Sequence, residues 1–67
     1  MTVRLNGDQR ECQEGTTIAD LVEELGLRKK RIAVEVNQDI IPRDEYVRHG
    51  LRHGDELEIV HFVGGGC

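Results

Sequence analysis

The sequence predicts an α+β fold, a mixed sheet of four to five strands with one main helix on one face. Three observations carry this. Val3 and Leu5 alternate with polar neighbours and run into Asn6-Gly7, the strongest short signal for a two-residue hairpin. Ile18, Leu21, Val22 and Leu25 recur at i, i+3, i+4 and i+7 ahead of Gly26, a single apolar helix stripe with its terminator. Leu57, Ile59, Val60, Phe62 and Val63 form the most apolar stretch, and apolarity on both sides marks a central strand.

The hairpin is predicted over residues 2–6 and 9–13, with Cys12 a small buried hydrophobe and the Arg10 stem lying along the same face. Thr17 and Asp20 have capping-box spacing, so the helix is placed at 17–25. Arg28-Lys29-Lys30-Arg31 reads as a solvated turn past its C-terminus, with a partner-binding patch the alternative. Ile32–Val36 has the β-branched content of a strand, Asn37-Gln38-Asp39 a turn, and Ile40-Ile41 a short return strand that Pro42 confines to an edge. Residues 43–51 carry at most two helical turns, anchored by Tyr46, Val47 and Leu51. His53-Gly54-Asp55 then turns the chain into the last strand, a plausible parallel neighbour of the first.

Sixty-seven residues hold one small domain and no deep catalytic cavity. The boundaries drawn are 1–63 for the domain and 64–67 for a glycine-rich tail. A net charge of −4 and only two aromatic residues, Tyr46 and Phe62, argue against nucleic acid and anionic membranes as partners. With no apolar run near the ~20 residues of a membrane span and a polar N-terminus, the chain reads as soluble and cytoplasmic. Cys12 and Cys67 lack metal-site or framework spacing and are expected to be reduced. His49, His53, His61 and Cys67 do not make a convincing zinc set, so no metal is assigned.

Two features point toward function. One short helix covers one face of a sheet, leaving Val60 and Phe62 on the other, either under the 43–52 segment or exposed as a docking patch, the reading preferred here. The glycines Gly64, Gly65 and Gly66 stand directly after the strand. Their conformational freedom does not serve a fold, whereas a segment without side chains can thread a narrow channel in a partner.

Hairpin, helix, strand, short strand, turn and central strand, in that order, describe a β-grasp (ubiquitin-like) fold. The segment Asn37-Gln38-Asp39-Ile40-Ile41-Pro42-Arg43 with Tyr46 after it, the Gly54-Asp55-x-Leu57 turn and Gly65-Gly66 resemble the ThiS sulfur carriers of thiamine biosynthesis, along the whole chain. That resemblance implies a carrier and co-substrate, with no catalytic residues and no bound cofactor. A ThiF-like adenylating enzyme would spend MgATP to form an acyl-adenylate at Gly66. A sulfur donor such as a cysteine desulfurase would convert it to a thiocarboxylate, and a ThiG-like thiazole synthase would consume the product. Pro42 and Arg43 join Val60 and Phe62 on the implied docking face; a change of chain direction at an edge strand with a surface cation is the alternative for that pair.

Cys67 departs from the family's Gly-Gly end. It is removed by a protease, tolerated, or itself the sulfur-bearing group, and removal is favoured because adenylation needs a free carboxylate at Gly66. The same features also fit a sulfur carrier of another pathway, for molybdopterin, a tungsten cofactor or an amino acid, or a non-covalent ubiquitin-like interaction module.

Overall fold

Asn6 and Gly7 take φ values of 51° and 87°, the paired positive angles that match a tight hairpin to the twist of its strands. The computed structural model describes residues 1–62. The assignments made to Val63, Gly64, Gly65, Gly66 and Cys67 lie outside the described residues. Around the first turn, β1 (Thr2–Leu5) pairs antiparallel with β2 (Asp8–Glu11), Leu5 opposite Asp8. The second strand stops at Glu11, short of the predicted residue 13. Beyond it the Cys12 backbone N–H donates to the Met1 carbonyl at 2.8 Å, and Cys12 is half-buried against the core and not fully enclosed.

Helix α1 spans Ile18–Glu24, with Thr17 and Leu25 as its caps. The three leading backbone donors of a helix have no partner inside it. Here the Ile18 N–H donates to His49 O at 3.0 Å, that of Ala19 to Tyr46 O at 3.0 Å, and that of Asp20 to the Thr17 hydroxyl at 3.2 Å. The Asp20 carboxylate accepts from the Thr17 N–H, closing the capping box. At the other end Gly26, at φ 73°, donates to Glu23 O, and Leu27 donates to Val22 O. These two bonds make a Schellman motif, in which the left-handed residue has to be tolerant of positive φ.

Strands β3 (Ile32–Val36), β4 (Asp39–Ile41) and β5 (Glu56–His61) complete a five-stranded sheet of order β2-β1-β5-β3-β4. Only the β1–β5 contact is parallel, as expected for two strands joined across a helix. The apolar last strand is central and β4 is an edge. The core is Val3, Ile18, Leu21, Val22, Val34, Val36, Tyr46, Leu51, Leu57 and Ile59.

Residues 42–51 form a 3₁₀ turn over Arg43–Glu45 and a loop. Tyr46 and Leu51 anchor it, but Val47 does not: it is 69% exposed. With Tyr46 turned into the core and its carbonyl committed to α1, the next side chain is directed to solvent. This segment packs beside the start of α1, among the same core residues, and so leaves the opposite sheet face uncovered by the described residues.

Candidate functional site

Alternation along β5 divides the protein into two sides. Leu57 and Ile59 are buried under the helix, while Glu56, Glu58, Val60 and Phe62 face the other way and are exposed. The register extends that outer face across the sheet: Ala33 lies opposite Val60, Glu35 opposite both Glu58 and Ile40, and Arg4 opposite Glu56. Val60 is 49% exposed, Phe62 53% and Ile40 71%. An isolated exposed apolar side chain needs no explanation, but several on one sheet face form a surface that water solvates poorly.

The face is graded in charge. At its lower end the Glu35 and Glu58 carboxylates stand on directly opposed positions of antiparallel strands, an arrangement that destabilises a sheet by like-charge repulsion. Glu56 beside them is paired with Arg4 at 3.4 Å. In the middle lie Ala33 and Val60. At the upper end the Phe62 backbone N–H donates to Arg31 O at 2.9 Å, so the basic run 28–31 adjoins the point where the chain leaves the described residues.

Arg43 is committed to that same loop. Its guanidinium donates to Lys30 O at 3.0 Å and to Arg28 O at 3.3 Å, and it stands close enough to Tyr46 to act on its titration. Burial pushes the Tyr46 hydroxyl above its ordinary pKa of 10.0, opposed by the Arg43 charge and by a hydrogen bond with the Val34 backbone. Pro42 is exposed at the head of the 3₁₀ turn. Pro42 and Arg43 thus turn the chain and pin a loop.

The histidines are not brought together for chemistry. His53 Nδ1 accepts from the Thr2 N–H at 3.0 Å, and the His49 carbonyl serves the helix. Among the described residues no three of His, Cys, Asp and Glu are placed to hold a metal ion, and no helix is long and apolar enough to cross a membrane. Sequence reasoning missed Ile40, Ala33 and the opposed Glu35 and Glu58. Their signal was present in β3, where Ala33 and Glu35 fall out of step with Ile32, Val34 and Val36, but strand pairing and register were needed to assemble them.

This architecture recurs in a known protein. The family model described as the ThiS family matches residues 3–66. A thiazole synthase of Paramagnetospirillum magneticum is 39% identical over 66 residues, covering 98% of this chain and 20% of that protein; the chain therefore spans about a fifth of that relative's length. The sulfur carrier protein ThiS of Bacillus subtilis is 42% identical over 65 residues, 96% of this chain and 98% of that one. The crystal structure of the thiamine biosynthesis protein ThiS from Geobacter metallireducens matches with a TM-score of 0.82 at 25% identity, covering 98% of this chain and all of the other. With its β-grasp sheet, single helix and a match from the first strand through Gly66, the chain belongs to the ThiS family.

Proposed function

We propose that this protein is a sulfur carrier for thiazole formation in thiamine biosynthesis, a co-substrate of partner enzymes with no catalytic group of its own. The observation that carries the reading is the family match over residues 3–66, which takes in both the open sheet face and the glycines that follow it. The likeness to one fifth of a thiazole synthase supports a ThiG-like enzyme as the consumer of the sulfur.

A carboxylate is a poor electrophile because its charge is delocalised and its oxygen leaves badly. A ThiF-like enzyme with MgATP joins the Gly66 carboxylate to AMP and releases pyrophosphate. Sulfide then adds to the acyl carbon and expels AMP, leaving a thiocarboxylate with one oxygen replaced by sulfur. A persulfide donor, such as that of a cysteine desulfurase, needs a second thiol to open the resulting acyl disulfide. Hydrolysis of the Gly66–Cys67 peptide bond by a protease supplies the carboxylate that this sequence of steps requires. Val60 and Phe62 dock the body of the carrier while Gly64, Gly65 and Gly66 enter the partner's site.

Intact mass spectrometry of untagged protein from its own cell tests this directly. Loss of Cys67 together with an oxygen-to-sulfur increment is expected, and a chain ending at Gly66 accepts AMP from the adenylating enzyme in vitro. A chain ending at Gly66 that is never adenylated overturns the carrier reading and favours the non-covalent interaction module. Adenylation of the full chain alone, with the shortened chain inert, overturns the removal of Cys67.

A further inference from the structure

We infer that Arg28, Lys29, Lys30 and Arg31, held in place by Arg43, form a basic collar that engages a carboxylate-rich rim at the mouth of the adenylating partner's site. The inference rests on the carrier reading above and deepens it. The sequence holds nine Lys and Arg residues against thirteen Asp and Glu, yet five of the nine gather in this loop and its pin. Such crowding costs stability through self-repulsion. Among the described residues only Arg28 of these five makes an ion pair, with Glu23 at 3.7 Å.

The helix does not account for the cluster. Cations stabilise a helix from within its last turn, and the last turn of α1 contains none. Its terminal carbonyls at Val22 and Glu23 are already met by Leu27 and Gly26. The loop is nonetheless built to a definite shape. The Lys30 N–H donates to Leu27 O at 3.0 Å, and the Arg43 guanidinium spans the carbonyls of Arg28 and Lys30. Fixing the backbone on both sides of Lys29 presents the cations with less entropy left to lose on binding.

Position selects the partner's chemistry. Arg31 O is bonded to the N–H of Phe62, which is itself part of the exposed apolar patch and stands two residues before the first tail glycine. Whatever receives that tail and covers Phe62 also meets the collar, and its matching groups are carboxylates around an apolar seat. A nucleic acid fits poorly, because Phe62 is the sole exposed aromatic side chain among the described residues and the net charge is −4.

Steady-state adenylation by the ThiF-like enzyme, followed by pyrophosphate exchange with the chain ending at Gly66 and with the full chain, tests the collar. Lys29→Glu/Lys30→Glu raises KM for the carrier about tenfold at low salt with kcat unchanged, because rim charges act on encounter more than on chemistry. The difference shrinks to about twofold in ~0.5 M salt, where screening is short-ranged. Arg48→Glu/Arg52→Glu makes the same change in net charge away from the tail and leaves KM within about twofold. Equal KM values for wild type and Lys29→Glu/Lys30→Glu overturn the collar, as does an equal penalty from Arg48→Glu/Arg52→Glu. If neither the chain ending at Gly66 nor the full chain is ever adenylated, with all collar residues intact, the carrier reading and the collar fall together, an outcome distinct from adenylation that ignores the collar charges.

Discussion

Asn6 holds Ile59 by both ends of its side-chain amide: its Oδ1 accepts from the Ile59 N–H at 2.8 Å and its Nδ2 donates to the Ile59 carbonyl at 3.3 Å. The parallel ladder between β1 and β5 includes Arg4 with Glu56 and Leu5 with Leu57. The Asn6 side chain continues it one step further, past the point where the hairpin turn pulls the backbone away. One residue therefore makes the turn and ties the first strand to the central one.

Asn6→Ala should lower stability by about 1–3 kcal/mol, the cost of stripping partners from enclosed backbone groups, with added strain because Ala tolerates φ 51° poorly. Asn6→Gly keeps the turn and loses only the two bonds. Urea midpoints in the order wild type, Asn6→Gly, Asn6→Ala are expected, and an unchanged midpoint for Asn6→Gly would show that the amide bonds contribute nothing.

A second tight turn is built less well. Asn37 and Gln38 sit at φ 51° and 74°, and Gln38 has a side chain that gains nothing from the left-handed region. Holding an L-residue there costs about 1–2 kcal/mol, partly offset in a glycine variant by the larger entropy that glycine loses on folding. Gln38→Gly should raise stability by about 0.5–1 kcal/mol, read as a higher urea midpoint; a lower one would assign the Gln38 side chain a stabilising contact.

Most of the fold was legible because its signals are local. Asn6-Gly7, the Thr17–Asp20 cap and Gly26 each specify a backbone angle or a hydrogen bond within a few residues, and the structure realises all three. The site was legible only in part. That Val60 and Phe62 point away from Leu57 follows from strand alternation, but their exposure depended on where residues 43–52 pack. The opposed pair Glu35 and Glu58, and the bond from Phe62 to Arg31, exist only through long-range register. Val47 misled because an apolar residue beside Tyr46 has no periodicity in a short 3₁₀ turn to show which way it points.

Tyr46 gives the protein an alkaline limit. Burial raises its pKa, so the folded state holds the phenolic proton more tightly than the unfolded state does. The stabilisation this represents is complete below the ordinary value of 10.0 and is lost as pH rises through the folded-state value. Thermal melts from pH ~9 to ~11 should fall more steeply for wild type than for Tyr46→Phe. Parallel slopes would mean that the hydroxyl is as well solvated folded as unfolded.

Phe62→Asp tests the proposed docking patch apart from both the core and the collar. At 53% exposure Phe62 is outside the core cluster, so the variant should melt close to wild type. Against a ThiF-like partner, a carboxylate in place of the ring must be desolvated in an apolar seat, and loss of an aromatic anchor of this kind weakens binding by about 2 kcal/mol or more, roughly thirtyfold in Kd. Salt distinguishes this loss from the electrostatic one: the penalty for Phe62→Asp persists in ~0.5 M salt, where long-range charge effects are screened. Binding equal to wild type would assign the contact face elsewhere, whereas a collapsed melting transition would place Phe62 in the core after all. Val60→Asp, on the same face and opposite Ala33, should repeat the binding loss if the patch acts as one surface, because a partner that seats Phe62 also covers its neighbour two residues back along β5.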